Sequence, residues 1–368
     1  MDSLDQEINQ ARQEIKTEAY SMSLGELGNL YKEKEIDVHP EFQRYFRWSN
    51  LQKSKLIESI LLGIPIPPIF VHQRADGKWD VVDGVQRLST VFQFMGILLD
   101  QEDKLAERLI LEGTKALPAL EGRYWGEDEK DPISLTPTQK LIIRRSKFDL
   151  IILLRETDAR TKFELFQRLN TGGSSLTPQE VRNAMLSLRD RDFFSELKTF
   201  AKTEGFLETT MLGDKLIAEQ FDIELICRFL SLYNLAEADF HLVTDLHDFL
   251  DGWTYNIQAN SLTSMQKDIE ILKKTFEFCF AELGANAFKK YDNETGLYRG
   301  GLSIAGFEGV AFGVGFNLLQ NTLDLSNFKD KVKALWQNDD FTKNIGAGIR
   351  ASTRIPNVLR AARKHFAK

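Results

Sequence analysis

The residues best suited to chemistry lie in the short run Asp83-Gly84-Val85-Gln86-Arg87. Apolar alternation before the run predicts a strand over residues 79–82, and apolar spacing after it predicts a helix. The first backbone amides of a helix have no intrahelical partners and carry the positive end of the helix dipole. A ligand phosphate is therefore expected to suit this turn.

Each side chain of the run has a candidate role. Gly84 lets a ligand approach the backbone, and Arg87 can donate forked hydrogen bonds to phosphate oxygens. Gln86 can orient a water molecule or a ribose hydroxyl, and Asp83 can hold a metal ion. On spacing alone, the simpler alternatives are favoured: an N-cap at Asp83 and a tight turn at Gly84.

Further segments occur in a fixed order around this run: Glu41-Phe42-Gln43-Arg44, Trp48, residues 56–61 and Pro67-Pro68-Ile69. Together they resemble the family named for its DGQQR motif, which is found in GmrSD-type restriction enzymes and phosphorothioation-sensing defence proteins. The resemblance implies a ParB/sulfiredoxin-like nucleotide-binding domain. In that superfamily a Gly-x-x-Arg turn at a helix start holds nucleotide phosphates, and Gly84 and Arg87 match this spacing.

The resemblance also implies the rest of a site. Together with the candidate roles given above, it makes Asp83, Gln86 and Arg87 the predicted catalytic residues, with Asp83 as the candidate metal ligand. The implied ligand is a nucleoside triphosphate, with Mg²⁺ as the candidate metal. Asn170 and Arg182 belong to a later matching stretch, and the alternative there is a helix–turn–helix connector. The predicted binding residues are Gln43, Arg44, Gly84, Arg87, Asn170 and Arg182.

Two departures from the family bear on activity. Val85 stands where the motif has its first glutamine. If that glutamine positions the attacking water, hydrolysis is weakened while binding survives; if it only packs or contacts the base, little changes. Fused family members carry an HNH nuclease, but the five histidines here do not form such a cluster. We therefore expect no HNH nuclease in this chain, and a nuclease or other protein is a candidate partner.

The elements around the turn predict an α+β chain. Helices are expected over residues 5–20, 24–34 and from a cap at Ser49 to Leu62, with strands at 36–38, 69–72 and 150–154. After residue 154 strand signals nearly vanish and helix caps recur, as at Thr177-Pro178-Gln179-Glu180 and at Thr263 with Gln266, before a helix expected to reach Leu283. Residues 214–233 are also expected to be helical. We predict a ParB/sulfiredoxin-like domain over residues 1–185 and a mostly α-helical domain over residues 186–368.

Composition limits the class of protein. The 368 residues are 42% hydrophobic and 27% charged, with a net charge of −7, which argues against a general polyanion binder. Two cysteines cannot build a disulfide framework or a four-cysteine metal site. The apolar run at residues 60–71 is too short to span a bilayer. We expect a cytoplasmic protein with no membrane contact, whose oligomeric state is left open.

Two other stretches stand out. Residues 296–315 hold seven glycines without phosphate-loop spacing, which predicts turns and close helix packing. From residue 341 onward there is no acidic residue and there are seven basic ones. This C-terminal segment is either a solvated face or a DNA-facing patch. Arg144 and Arg145 are adjacent, so we expect them to point apart rather than to share one phosphate.

Three functions compete. The favoured one is a nucleotide-binding protein, a nucleoside triphosphatase with a restriction or anti-phage role. The second is a DNA-binding or DNA-nicking protein that uses the basic C-terminal segment. The third is a non-catalytic regulatory module, motivated by Val85 and by the large helical half. The sequence does not indicate which nucleotide is preferred.

Overall fold

A computed structural model describes residues 4, 16–38, 48–100, 103–128, 130–154, 157, 177–258, 261–346 and 348–368. The chain divides into two units, residues 1–175 and 176–368, referred to here as the N-terminal unit and the helical unit. Sequence analysis placed the boundary near residue 185. Each unit is described by itself.

The N-terminal unit is built on a five-stranded mixed sheet in the order β1-β5-β3-β4-β2. Its core strand β3 pairs parallel with β5 and antiparallel with β4. The outer strand β1 pairs antiparallel with β5, and the short β2 pairs parallel with β4. The strands are β1 (Thr17–Ser23), β2 (Ile36–Asp37), β3 (Ile69–Gln73), β4 (Trp79–Asp83) and β5 (Lys147–Leu153).

Capping residues set several of the helix ends in this unit. Ser49 and Gln52 form a capping box at the start of α2, which ends at Gly63 with φ 68°. Thr136 and Gln139 do the same for α4, with Pro137 at its first position. The helices are α1 (Leu24–Lys32), α2 (Asn50–Leu62), α3 (Val85–Phe94) and α4 (Pro137–Arg145).

One prediction for this unit is wrong. Residues 17–20 were expected to be helical, yet they open strand β1 at the edge of the sheet. Most of this strand is exposed, so it lacks the apolar alternation that marks a half-buried strand. The remainder of that predicted helix, residues 5–15, lies outside the described residues. The other predicted strands are confirmed, and so is the α+β class.

The helical unit is mostly α-helix with one short hairpin of β6 (Lys290–Asp292) and β7 (Leu297–Arg299). No helix in the described ranges is long and apolar enough to cross a membrane. Its helices are α5 (Pro178–Arg189), α6 (Arg191–Ala201), α7 (Glu204–Thr210), α8 (Asp214–Ala218), α9 (Phe221–Leu232), α10 (Leu246–Asn256), α11 (Ser261–Ser264), α12 (Gln266–Leu283), α13 (Ile304–Gln320), α14 (Phe328–Leu335), α15 (Asp339–Thr342) and α16 (Ala351–His365).

Two helix boundaries differ from the sequence prediction. Residues 214–233 were expected to be one helix, but they form α8 and α9, separated at Gln220, whose φ is 58°. Thr263 was expected to cap α12, whereas Thr263 lies in α11 and Met265 precedes α12. In both places the apolar periodicity continues across a break of one or two residues in the helical backbone.

The glycines of α13 allow close packing, as the sequence predicted. A Cβ at Gly306 would lie 2.5 Å from the Phe288 carbonyl oxygen. A Cβ at Gly313 would lie 2.6 Å from Phe366 Cδ2 and 2.8 Å from the Ala362 carbonyl oxygen, in and beside α16. These distances are shorter than van der Waals contact, so α13 approaches its neighbours only where side chains are missing.

Replacing Gly313 by alanine is expected to destabilise the helical unit by about 1–3 kcal/mol, since the added methyl group overlaps the α16 backbone. Gly252→Ala is the matched control. That glycine lies inside α10 with open space around it, so alanine should stabilise it by up to about 1 kcal/mol. Urea unfolding of both variants measures the difference, and equal stabilities would contradict the packing argument.

Candidate functional site

The predicted turn lies where β4 passes directly into α3. Asp83 is the last residue of β4, Gly84 precedes the helix with φ 95°, and Val85 is its first residue. Gly84 offers no side-chain cap to the first turn of the helix. The Leu88 amide bonds the Gly84 carbonyl at 2.9 Å. The positive end of α3 is therefore presented at the end of a central strand.

Arg87 binds three groups around this turn. Its Nη1 donates to the Pro67 carbonyl and, at 3.1 Å, to the Pro68 carbonyl. Its Nη2 donates to Asp83 Oδ2 at 2.8 Å. Burial lowers the pKa of Arg87, and the neighbouring Asp83 carboxylate opposes that effect. Asp83 is thus an ion-pair partner and not the helix cap that spacing alone favoured.

Gln86 points toward the segment that precedes α2. Its Oε1 accepts a hydrogen bond from the Trp48 amide at 3.4 Å. Trp48, the Pro67-Pro68 connector and the Asp83–Arg87 turn are separate in sequence, and all belong to the motifs that carry the family resemblance. The structure brings them together through direct contacts of Gln86 and Arg87.

The fold itself requires glycine at position 84. A Cβ there would overlap Ile69 Cδ1 and lie 3.2 Å from Arg87 Nη2. Its φ is also in the region that L side chains rarely adopt. Glycine at position 84 is therefore required by the packing of Ile69 and Arg87 around it. This agrees with the alternative that Gly84 serves a tight turn.

Val85, which departs from the family motif, is a core residue. Its side chain is 5% exposed and belongs to the hydrophobic cluster of the N-terminal unit. A side chain in this position packs against the sheet and does not face solvent at the turn. Val85, which replaces the first glutamine of the motif, thus lies on the buried side of α3, whereas Gln86 points toward Trp48.

Not every predicted site residue can be placed. Gln43, Arg44 and Asn170 lie outside the described residues. Asp83 remains 42% exposed beside Arg87. Within the described part of the chain, no group of three or more His, Cys, Asp or Glu residues could hold a metal ion. The metal role of Asp83 stays a prediction.

Arg182 lies in the interior of the helical unit. It is fully buried, and its guanidinium donates to Gln179 at 2.8 Å, to Asp251 at 2.9 Å and to Glu224 at 3.2 Å. These contacts join α5, α9 and α10. They give Arg182 a structural role and provide no support for its predicted place at a nucleotide pocket.

The Arg182 contacts continue into a longer chain of buried charges. Glu224 also binds Arg228, and Glu308 binds both Arg228 and Arg354. Burial raises the pKa of Glu308, while Arg354 and Arg228 oppose that effect. Sequence analysis missed this network. A signal was present: Glu308 is the one charged residue in α13, which indicates a buried partner.

The basic C-terminal segment is largely tied to the protein itself. Arg363 donates to the carbonyls of Tyr233 and Leu235 at 2.9 and 2.8 Å. Arg354 pairs with Glu308, Arg360 with Glu237 and Lys343 with Asp339. Four of the seven cations are therefore occupied, which weakens the prediction of a DNA-facing patch here.

The region that contains the Gly84 turn matches a known protein family. Residues 27–187 match the family model described as GmrSD restriction endonuclease, N-terminal domain. The resemblance inferred from the sequence is thereby confirmed. No curated protein and no solved structure matches the chain.

The GmrSD match covers less than half of the chain but contains every element of the candidate site. It runs from α1 through the Gly84 turn and into α5. The family description connects this region with restriction. It does not name a nucleotide, so the chemistry of the turn is a matter for proposal.

Gly84→Ala is expected to destabilise the N-terminal unit more than Gly77→Ala does. Both glycines have positive φ, but nothing lies within 4 Å of a Cβ at Gly77. The difference, about 1–3 kcal/mol in the free energy of unfolding, isolates the overlap with Ile69. Chemical denaturation of both variants provides the measurement, and similar losses would show that backbone strain alone matters.

Arg182→Met is expected to cost about 3–5 kcal/mol at neutral pH, because the buried carboxylates of Glu224 and Asp251 each lose their ion pair with its guanidinium. Burial already raises the pKa of Asp251, although Arg182 lowers it. Without Arg182 that pKa rises further, and the folded state binds more protons than the unfolded state. Stability of the variant should therefore increase as pH falls from 8 toward 5.

The control for this prediction is Lys273→Met, which removes a half-exposed ion pair with Glu196. It should change stability by less than about 1 kcal/mol, with little dependence on pH. Thermal unfolding across the pH range compares the two variants. A pH-independent loss in Arg182→Met would count against the carboxylate explanation.

Proposed function

We propose that the N-terminal unit binds a nucleoside triphosphate at the Gly84–Arg87 turn and hydrolyses it in a restriction or anti-phage role. The observation that carries the proposal is the uncapped start of α3 beside a partly buried arginine. Helix amides and a guanidinium are both suited to phosphate oxygens. The GmrSD match supports the restriction role.

Binding of a phosphate would require Arg87 to share or exchange its partners. Its guanidinium contacts two connector carbonyls and Asp83. A phosphate at the helix start carries more charge than these carbonyls, so it competes well for the Nη groups. The amides of the first turn of α3 add donors that need no rearrangement.

Hydrolysis would place two further side chains in named roles. Gln86, whose amide group lies at the edge of the turn beside Trp48, would orient the attacking water. Asp83 would supply a carboxylate to Mg²⁺, which is commonly held by one or two carboxylates together with substrate phosphates. Val85 packs in the core, so we expect the missing motif glutamine to leave the water position unaffected.

The proposal is tested by isothermal titration of the protein with ATP, GTP, CTP and UTP, each with and without Mg²⁺. Arg87→Ala should abolish binding, and Arg87→Lys should weaken it because the fork is lost while the charge is kept. Arg145→Ala, an exposed arginine of the same unit, should bind as the wild type does.

Turnover assays with and without DNA then follow on the preferred nucleotide. Gln86→Ala should lower turnover by a larger factor than it lowers affinity. Binding that survives Arg87→Ala, with the fold intact by circular dichroism, would remove the assignment of this turn. Nucleotide binding without any hydrolysis would instead favour the alternative that the protein is a non-catalytic regulatory module.

A further inference from the structure

A second group of basic residues lies in the N-terminal unit. Residues 132–148 contain four basic residues and no acidic one. No ion pair between described residues involves any of them. They lie on and just after α4: Lys140, Arg144, Arg145 and Lys147.

Helix α4 is unusually exposed. Ile143 is its one buried residue, while Leu141 and Ile142 are 43% and 44% exposed. At about 100° per residue, Arg145 lies between Leu141 and Ile142 on the face turned away from Ile143. One cation, Arg145, therefore lies between two apolar side chains on the outer face of α4.

The inner flank of α4 rests on a tryptophan. Lys140 and Arg144 are one turn apart, and their charged ends lie 5.9 and 5.5 Å from the centre of the Trp125 ring. Trp125 in turn packs edge-on against Phe94 of α3. These contacts restrict the side chains of Lys140 and Arg144. Binding of an anion to them would therefore cost less side-chain conformational entropy.

We propose that this α4 surface, made of Lys140, Leu141, Ile142, Arg144, Arg145 and Lys147, binds the sugar–phosphate backbone of duplex DNA. The inference rests on the restriction role proposed above. Arg144 and Arg145 point apart, as expected, but a continuous phosphate backbone can engage both. Lys140 also donates to the Gly126 carbonyl, but none of the four cations has an ion pair with a described residue. On an acidic protein they form the local basic patch that nucleic-acid binding requires.

Two simpler explanations do not account for all of these features. Cations in the last turn interact well with the helix dipole, but the dipole does not explain why Leu141 and Ile142 are exposed. An anionic membrane would favour separate apolar and charged faces, whereas Arg145 interrupts the apolar pair. Glu127, Asp128 and Asp131 precede the helix, and the exposed Asp149 follows Lys147 on β5. DNA contact is therefore expected in the interval between these acidic residues, at the C-terminal end of α4.

The test is fluorescence anisotropy of a labelled duplex DNA titrated with the full-length protein at several salt concentrations. The double variant Arg145→Ala, Lys147→Ala should weaken binding at every salt concentration and reduce the salt slope by about 2. The matched control is Arg350→Ala, Lys364→Ala, which removes the same charge from exposed positions of the C-terminal segment. Its affinity should stay within twofold of the wild type.

Several results would overturn the assignment. These are no DNA binding by the wild type at low salt, equal losses in the two double variants, or a loss in the C-terminal variant alone. Vesicles of phosphatidylserine and phosphatidylcholine serve as a second probe. Binding to vesicles that depends on Arg145 and Lys147, with DNA binding unchanged, would assign the surface to a membrane.

Failure of this inference is distinguishable from failure of the proposed function. Nucleotide titration of the Arg145→Ala, Lys147→Ala variant should match that of the wild type, since neither residue contacts the Gly84 turn. Nucleotide binding without DNA binding would leave the triphosphatase proposal standing and reject the α4 surface. DNA binding that depends on α4, without nucleotide binding, would do the reverse.

Discussion

The contacts of one guanidinium organise the N-terminal turn. Arg87 reaches from the first turn of α3 to the Pro67 and Pro68 carbonyls and to Asp83. It thereby fixes the entry to β3 and the exit from β4 relative to α3. Gly84 must lack a side chain because Ile69 and Arg87 fill the space where one would be. Segments far apart in sequence meet because this arginine is buried among them.

Much of the N-terminal unit was predictable because its signals are local. The Ser49 cap and the alternation before Asp83 each depend on neighbouring residues, and both are found in the structure. Strand β1 was missed since an exposed edge strand is defined by its partner β5 and not by its own pattern. Likewise, the αL conformation of Gln220, which lies between α8 and α9, has no strong sequence signal.

The candidate site was predictable in part for the same reason. Spacing located the turn at Gly84, but not the contact of Arg87 with the connector, which is a tertiary interaction. Arg182 shows the opposite case, because a motif residue proved to be the buried centre of a charge network in the helical unit. Its burial and its partners on α9 and α10 depend on helix packing, which residue type and position do not reveal.

The Arg87 contacts have a consequence for thermodynamic linkage. Any ligand that takes Nη1 from the connector carbonyls also releases the Pro67-Pro68 segment from α3. The observed affinity is then the intrinsic affinity reduced by the free energy of that release. The Pro67-Pro68 connector and the ligand thus compete for the same Arg87 donors. Ligand binding at the turn therefore favours release of the connector, and release of the connector raises the affinity for the ligand by the same factor.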